Sequence, residues 1–127
     1  MPNTIQTVES FLASSAIGAI WSSCSPDFGV NGVIERFIQI RPSVLIICDR
    51  YYYNGKEINV LERLSEILKK IPSIKKVIIV NYPGKKYLTL KHIKSNKIYY
   101  WKDIPNTTVD KIFFEKFDFD HELAILY

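Results

Sequence analysis

The 127-residue sequence predicts an α/β fold with a mostly parallel sheet and βαβ crossovers. Two short apolar runs, Val44 to Cys48 and Val77 to Val80, have the length and the β-branched content of strands buried on both faces of a parallel sheet. Segments with helical periodicity precede and follow the first run, so helices and strands alternate along the chain. This alternation requires crossover connections, and the nucleotide-binding (Rossmann-like) half-fold is the architecture it favours.

The first helix is predicted over Thr4 to Gly18, with Asn3 as its N-cap and the glycine as its end. Apolar residues recur there at helical spacing: Ile5, Val8, Leu12, Ala16 and Ile17. A short buried strand is predicted over Ala19 to Cys24. The Pro- and Gly-containing segment from Ser25 to Gly29 then predicts a turn.

A second helix is predicted over Val30 to Ile40, because its apolar residues form one stripe: Val33, Ile34, Phe37 and Ile40. Pro42 disfavours helical geometry at the preceding residue, so the helix should end there. The strand Val44 to Cys48 follows, and Asp49 closes it. The Asn54-Gly55 pair between aromatic and polar residues then predicts a tight turn between extended segments.

A third helix is predicted between Asn59, a suitable N-cap, and Pro72, which ends it. Its apolar face contains Leu61, Leu64, Ile67, Leu68 and Ile71. The strand Lys76 to Asn81 follows, and Tyr82-Pro83-Gly84 predicts a turn.

The remaining sequence has a weaker pattern. Lys85 to Trp101 is interpreted as a strand-like hairpin or a loop, and Pro105 to Asp110 as a loop. Glu122 to Tyr127 is predicted to be a final strand. Because complete domains usually finish on a polar tail, we expect the sheet of this chain to be incomplete.

Composition excludes several classes of protein. Hydrophobic residues make up 47% and charged residues 24%, which is typical of globular rather than disordered chains. The apolar runs are far shorter than a bilayer span, and no basic segment precedes an apolar stretch at the N-terminus, so neither a membrane protein nor a secretory signal is expected. Cys24 and Cys48 are interpreted as reduced, buried thiols of a cytoplasmic protein.

Motif searches point to no catalytic or metal site. There is no Gly-rich phosphate loop, and His92 and His121 show no metal-ligand spacing with the cysteines. Asp27-Phe28-Gly29 matches the metal-binding triplet of protein kinases, but the other kinase motifs are missing. The serines around Cys24 lack a nearby histidine to act as a base, so small residues packing a strand end are the favoured interpretation.

A basic stretch gives one alternative function. Lys85 to Lys102 contains six lysines and no acidic residue, with tyrosines and a tryptophan interleaved. Such mixtures bind phosphate backbones and stack bases, which keeps a small nucleic-acid-binding module as an alternative. A solvated surface is favoured, because no nucleic-acid-binding motif accompanies the lysines and the net charge is only +4.

The segment Ile17 to Gly29, IGAIWSSCSPDFG, resembles the corresponding stretch of acetoacetyl-CoA synthetases, which belong to the adenylate-forming acyl-CoA synthetase superfamily. Tyr53 to Lys56, YNGK, and the closing Ile125 to Tyr127, ILY, are similar as well. Glu122 departs from the family, which usually has proline after His121. The resemblance covers nearly the whole chain in order.

The resemblance implies that residues 1–127 are a fragment of a large N-terminal adenylation domain, ending just before its ATP phosphate-binding loop. The full-length family uses ATP, Mg²⁺ and CoA to convert a short carboxylic or keto acid to acyl-CoA through an acyl-adenylate. No cofactor and no catalytic residue is implied for this chain alone. Lys56 lies where related enzymes place a basic residue against the CoA phosphates, whereas Tyr53 stands in place of another.

Three hypotheses follow. The first is a truncated synthetase piece that is inactive alone, with the missing remainder of the enzyme as its natural partner. The second is one half of a split acyl-CoA synthetase that assembles with a separate chain. The third is the nucleic-acid-binding module. In all three the protein is cytoplasmic and has no membrane partner.

Overall fold

The computed structural model describes residues 1–90, 97–105 and 107–127. The helices in these ranges are α1 (Ile5–Ala16), α2 (Val30–Ile40), α3 (Leu61–Lys70) and the 3-10 helix η1 (Trp101–Asp103). The strands are β1 (Trp21–Ser22), β2 (Val44–Cys48), β3 (Arg50–Tyr53), β4 (Lys56–Asn59), β5 (Lys76–Val80), β6 (Ile98–Tyr100) and β7 (Ala124–Ile125).

The central sheet has the strand order β2-β5-β6, and both pairings are parallel. Helix α3 connects β2 to β5, which confirms the predicted βαβ crossover and the α/β fold class. The bounds of β2 and α2 agree with the sequence prediction. Local pattern was sufficient here because each apolar run is bounded by turn-forming or helix-breaking residues.

The hydrophobic core lies between the central sheet and helices α2 and α3. Its sheet side is formed by alternate residues of β2 and β5, and Leu64 of α3 is completely buried against it. The core residues are Phe37, Leu45, Ile47, Leu61, Leu64, Ile67, Ile71, Ile74, Val77 and Ile79. The apolar stripes predicted for α2 and α3 therefore face the core.

The opposite face of the sheet corrects the prediction that these strands are buried on both sides. Val44 is 45% exposed, and Ile46 and Ile78 are only half-buried. The described residues therefore cover one face of the sheet with helices and leave the other accessible at the start of β2 and β5, whereas Cys48 and Val80 at the carboxyl ends are buried.

The segment Lys85 to Trp101 also departs from the predicted hairpin or loop. Ile98 to Tyr100 form β6, which pairs in parallel with β5 and places Ile98 opposite Val77. A three-residue strand carries no clear periodicity, so only pairing with β5 reveals it. Residues 91–96, which include His92, and Asn106 of the predicted loop lie outside the described residues.

Helix α1 is confirmed, but its cap and its environment differ from expectation. Thr4, not Asn3, is the N-cap residue, and the chain leaves the helix through Gly18 at a φ of 68°. Its apolar stripe faces outward: Ile5 is 73% exposed and Leu12 58%. The helix is thus amphipathic without a covering layer among the described residues.

A second, two-stranded sheet joins the two ends of the chain. The predicted strand Ala19 to Cys24 shortens to β1, and the predicted final strand shortens to β7, with which β1 pairs in parallel. The ring of Phe117 lies against Gly18, and His121 Nε2 is 2.9 Å from the Gly18 carbonyl oxygen. A glycine is required here because a Cβ atom would overlap the Phe117 ring.

The end of α2 and the start of α3 are set by the residues next to them. Arg41 adopts a left-handed conformation, with φ of 49°, just before Pro42, and this ends α2 as predicted. The N-cap residue of α3 is Val60 rather than the predicted Asn59, although Asn59 Oδ1 accepts a hydrogen bond from the Leu61 backbone N–H at 3.0 Å.

Candidate functional site

The hairpin β3–β4 projects from the carboxyl end of β2 and carries Lys56. Asn54 and Gly55 have φ values of 47° and 72°, the two positive values that a type I′ turn requires. The antiparallel register pairs Tyr53 with Lys56 next to the turn and Arg50 with Asn59 at the base. Lys56 is therefore exposed near the tip of the hairpin, as the predicted turn implies.

The two faces of the hairpin have different roles. Because side chains alternate along strands, Tyr51, Tyr53 and Lys56 share one face, whereas Arg50, Tyr52 and Glu57 share the other. Tyr51 is only 5% exposed and anchors the first face in the protein. The second face contacts the loop that follows β5.

Asp49 is the polar centre beneath this hairpin. It lies directly after β2, is completely buried, and accepts hydrogen bonds from the backbone N–H groups of Tyr82 (3.0 Å) and Leu88 (2.9 Å). Its own N–H donates to the Val80 carbonyl oxygen at 2.8 Å. One buried carboxylate thus organises the ends of β2 and β5 and the loop beyond them.

Arg50 completes this network. Its guanidinium group donates to both carboxylate oxygens of Asp49, at 3.4 and 3.2 Å, and forms a salt bridge with Glu57 at 3.1 Å. The same group donates to the Lys86 carbonyl oxygen at 2.6 Å. A planar guanidinium suits these divergent contacts, which connect the two strands of the hairpin to the following loop.

Electrostatic effects follow from these contacts. The hydrogen bond to Asp49 raises the pKa of Arg50, and burial only partly opposes it. The hydrogen bond from the Tyr52 hydroxyl, assisted by Arg50, lowers the pKa of Glu57. The same bond raises the pKa of Tyr52. The Glu57 carboxylate therefore interacts with both Tyr52 and Arg50. Both salt bridges among the described residues involve Arg50.

Lys85 lies on the loop side of the hairpin. Its ammonium group is 5.9 Å from the centre of the Tyr52 ring, and Tyr52 packs edge-on against Tyr82 at 5.0 Å. The Lys85 N–H donates to the Tyr82 carbonyl oxygen at 3.0 Å, which forms the turn predicted at Tyr82 to Gly84. A second lysine-bearing segment therefore borders the hairpin.

Two of the four aromatic residues of the basic stretch are used inside the fold, whereas Tyr99 is 43% exposed. Tyr87 and Tyr100 pack edge-on at 5.1 Å and are partly buried against the core. The Lys102 ammonium lies 5.5 Å from the Tyr87 ring centre. Rings engaged in this way do not form an open stacking platform, so the described part of this stretch does not favour the nucleic-acid-binding alternative.

Among the described residues, none is arranged as a catalytic base for the serine- and cysteine-containing segment. Ser22 Oγ donates to the Ile125 carbonyl oxygen, and Ser25 Oγ donates to Asp27. Cys24 is half-buried and Cys48 buried, and burial raises the pKa of both free thiols. Both cysteines are thus poorly ionised packing residues, and Asp27 to Gly29 is the turn before α2.

Two negative findings apply to the described residues. No group of three or more His, Cys, Asp or Glu side chains is arranged to hold a metal ion. In the same part of the chain, no helix combines the length and apolar character needed to cross a bilayer.

Sequence comparison finds similarity between the chain and one group of enzymes. It is 40% identical to the acetoacetyl-CoA synthetase of Gallus gallus over 131 residues and 41% identical to that of Xenopus tropicalis over 132. The Rhizobium meliloti acetoacetyl-coenzyme A synthetase is 37% identical over 127 residues. Each alignment covers all of this chain. Along its whole length, the chain is similar to one part of the acetoacetyl-CoA synthetases. No protein-family model matches it.

The fold shows the same similarity. The acetoacetyl-CoA synthetase from Streptomyces lividans superposes on all of this chain with a TM-score of 0.85 at 32% identity. The match covers 18% of that structure, and the chain spans about a fifth of the length of the curated relatives it matches. This acetoacetyl-CoA synthetase homologue therefore corresponds to one part of a much longer enzyme.

The CoA contact of Lys56 stays a prediction, and the network around this residue was not predicted from the sequence. In the sequence, Asp49 is recognisable only as the residue that closes β2. The available signal was an acidic residue directly after a fully apolar strand. A carboxylate in that position is expected to be buried, and a buried carboxylate requires several hydrogen-bond donors. The donors come from residues 82 and 88 and could not be identified from local pattern.

Proposed function

We propose that residues 1–127 serve as part of an acetoacetyl-CoA synthetase, an AMP-forming acid–CoA ligase. In the complete enzyme, ATP with Mg²⁺ activates a short keto acid as an acyl-adenylate, and CoA then accepts the acyl group. The observation that carries the proposal is the alignment of the whole chain, at 37 to 41% identity, with acetoacetyl-CoA synthetases of vertebrates and a bacterium.

Within that reaction, we assign Lys56 a contact with a CoA phosphate. Its ammonium group is exposed near the hairpin tip, while the neighbouring Glu57 is held by Tyr52 and Arg50 on the opposite face. The positive charge of Lys56 is therefore not neutralised by Glu57. Tyr53, directly opposite in the register, adds an aromatic surface that is 62% exposed.

We further propose that the remainder of the synthetase covers the accessible face of the central sheet. A groove of 680 Å³ runs between α1, the segment before α2 and this face. Its lining includes Ala13, Trp21, Ile46, Ile78, Trp101 and Ile104. The relatives are about five times longer, so they contain sequence that is available to fill it. The remainder belongs either to the same polypeptide or to a separate chain, as in a split enzyme.

The proposed setting is the cytoplasm. Two free thiols in a small fold with no disulfide among its described residues are typical of a reducing compartment.

The test is a hybrid synthetase in which residues 1–127 replace the matching segment of the Streptomyces lividans enzyme. We expect acetoacetyl-CoA formation that depends on ATP, Mg²⁺, acetoacetate and CoA. A second arm expresses residues 1–127 separately with the enzyme lacking that segment and measures association and activity. Activity of the hybrid alone indicates a covalent connection, activity of both supports assembly from two chains, and inactivity of a folded hybrid contradicts the proposal.

Lys56→Ala in the active hybrid should raise the KM for CoA about fivefold, because one exposed charge pair contributes about 1 kcal/mol. Adenylate formation, measured as ATP–pyrophosphate exchange, does not use CoA and should be unchanged. Lys116→Ala, which removes an exposed lysine of the C-terminal segment, is the matched control. An unchanged KM for CoA would exclude the assigned contact.

A further inference from the structure

We propose that the Asp49–Arg50 pair is a positioning device that holds hairpin β3–β4 and residues 82–88 together, so that Lys56 is presented at a fixed place to the CoA phosphate. The inference rests on the proposed function for the role of Lys56. The coupling itself rests only on the contacts within the chain.

A two-stranded hairpin needs an external anchor to hold one orientation. Hairpins of this size are marginally stable in isolation, and β3–β4 forms a sheet of its own among the described residues. The side chains near its tip, Tyr53 and Lys56, are exposed. The orientation of the tip must therefore be determined near its base, where Arg50 lies.

Arg50 makes contacts in three directions from that base. It is held by the buried carboxylate of Asp49, reaches across to Glu57 on β4, and bonds to the Lys86 carbonyl oxygen of the loop. Asp49 in turn accepts the N–H groups at both ends of the same loop, from Tyr82 and Leu88. The hairpin and the loop are thus attached to one pair of side chains.

The contacts of Arg50 do not include the proposed contact with the CoA phosphate. Arg50 is buried and its guanidinium is occupied by Asp49, Glu57 and Lys86, so it is not available to a phosphate. It acts through the placement of Lys56. Loss of Arg50 should consequently affect CoA binding in the same way as loss of Lys56, although the two side chains occupy opposite faces of the hairpin.

The experiment compares Arg50→Ala, Lys56→Ala and the double variant in the hybrid synthetase, with Arg36→Ala of α2 as the arginine control. Arg50→Ala should raise the KM for CoA about fivefold, as expected for loss of one placed charge, and leave ATP–pyrophosphate exchange unchanged. The double variant should be no worse than Lys56→Ala alone, because both changes remove the same interaction. An equal loss in both half-reactions, or additive effects, would overturn the proposal.

Amide hydrogen exchange gives a readout that does not depend on activity. Arg50→Ala should accelerate exchange in residues 50–59 and 82–88 together, whereas Arg36→Ala should leave both segments unchanged. Arg50→Lys keeps the positive charge beside Asp49 but lacks the planar guanidinium group, so it should accelerate amide exchange less than Arg50→Ala does. This variant replaces Arg50→Ala if the alanine substitution unfolds the protein. Acceleration in neither segment, or in only one, refutes the coupling.

The two readouts separate the possible failures. If Lys56→Ala leaves the KM for CoA unchanged, the proposed role of Lys56 is wrong, and the inference that Arg50 acts through it is wrong as well. If that variant behaves as expected and Arg50→Ala does not, only the positioning role fails.

Discussion

At the residue scale, burial rather than residue type separates structural from accessible apolar side chains. Leu64 of α3 is completely buried in the core, whereas Leu12 of α1 is 58% exposed. Both occupy apolar stripes at helical spacing, so the sequence pattern is the same at the two positions. The two positions differ only in whether another part of the protein packs over the side chain.

This difference in burial predicts that two alanine substitutions lower the free energy of unfolding by very different amounts. Leu64→Ala should lower the free energy of unfolding by about 2–5 kcal/mol, because it removes buried methyl groups and leaves a cavity. Leu12→Ala should change it by about 0.5 kcal/mol or less. Urea unfolding followed by circular dichroism measures both, and similar effects for the two variants would contradict the described packing.

The cysteines give a second prediction at this scale. Burial raises the pKa of both thiols, and Cys48 is only 2% exposed while Cys24 is half-buried. Because the thiolate is the reactive form, iodoacetamide at pH 8 should modify Cys24 slowly and Cys48 only after unfolding. Mass spectrometry with and without urea tests this order; equal labelling of Cys48 in both conditions would be inconsistent with its burial.

At the element scale, the hairpin β3–β4 depends on both its turn and its polar contacts. The Asn54-Gly55 turn determines which residues pair, and Tyr52, Glu57 and Arg50 connect the strands. Since Glu57 has a lowered pKa in the folded protein, its ionised form stabilises the fold. That contribution is present above the unfolded pKa of about 4.3 and is lost as the pH falls through the lower folded value.

Glu57→Gln should therefore reduce stability at pH 6, and its difference from wild type should shrink as the pH falls below about 4. Urea titrations across this pH range give the free energies of unfolding that test the prediction. Glu66→Gln, which changes an exposed carboxylate on α3, is the matched control and should have a small effect on stability at pH 6. A Glu57→Gln difference that grows on acidification would contradict the sign of the pKa shift.

At the scale of the whole molecule, apolar surface is left accessible on the sheet, on α1 and in the C-terminal segment. Phe113 is 81% exposed and Leu126 76%, in addition to the outward stripe of α1. Apolar surface of this extent is typical of an interaction surface. It agrees with a chain that matches a fifth of the length of its relatives.

We expect the isolated chain to bind an apolar fluorescent dye and to self-associate as its concentration rises. Leu12→Glu should reduce both effects without a large loss of unfolding free energy, because the side chain is already exposed. Leu45→Glu, in the core, should instead unfold the protein. Sedimentation and dye fluorescence measure these outcomes, and a monodisperse wild type that binds no dye would contradict the expectation.

Sequence alone determined the elements whose signals are local. The helices around Val33 and Leu64, the strands β2 and β5, and the Asn54-Gly55 turn follow from periodicity and turn chemistry within a few residues. The resemblance at Ile17 to Gly29 indicates acetoacetyl-CoA synthetases, and the CoA contact that it implies for Lys56 stays a prediction.

The tertiary structure alone decided which surfaces are covered and which distant groups meet. Strand β6 exists because it pairs with β5, the stripe of α1 faces outward because no described layer packs on it, and Asp49 finds its donors more than thirty residues away. These outcomes depend on contacts between segments that are remote along the chain, and a local pattern contains no information about such partners.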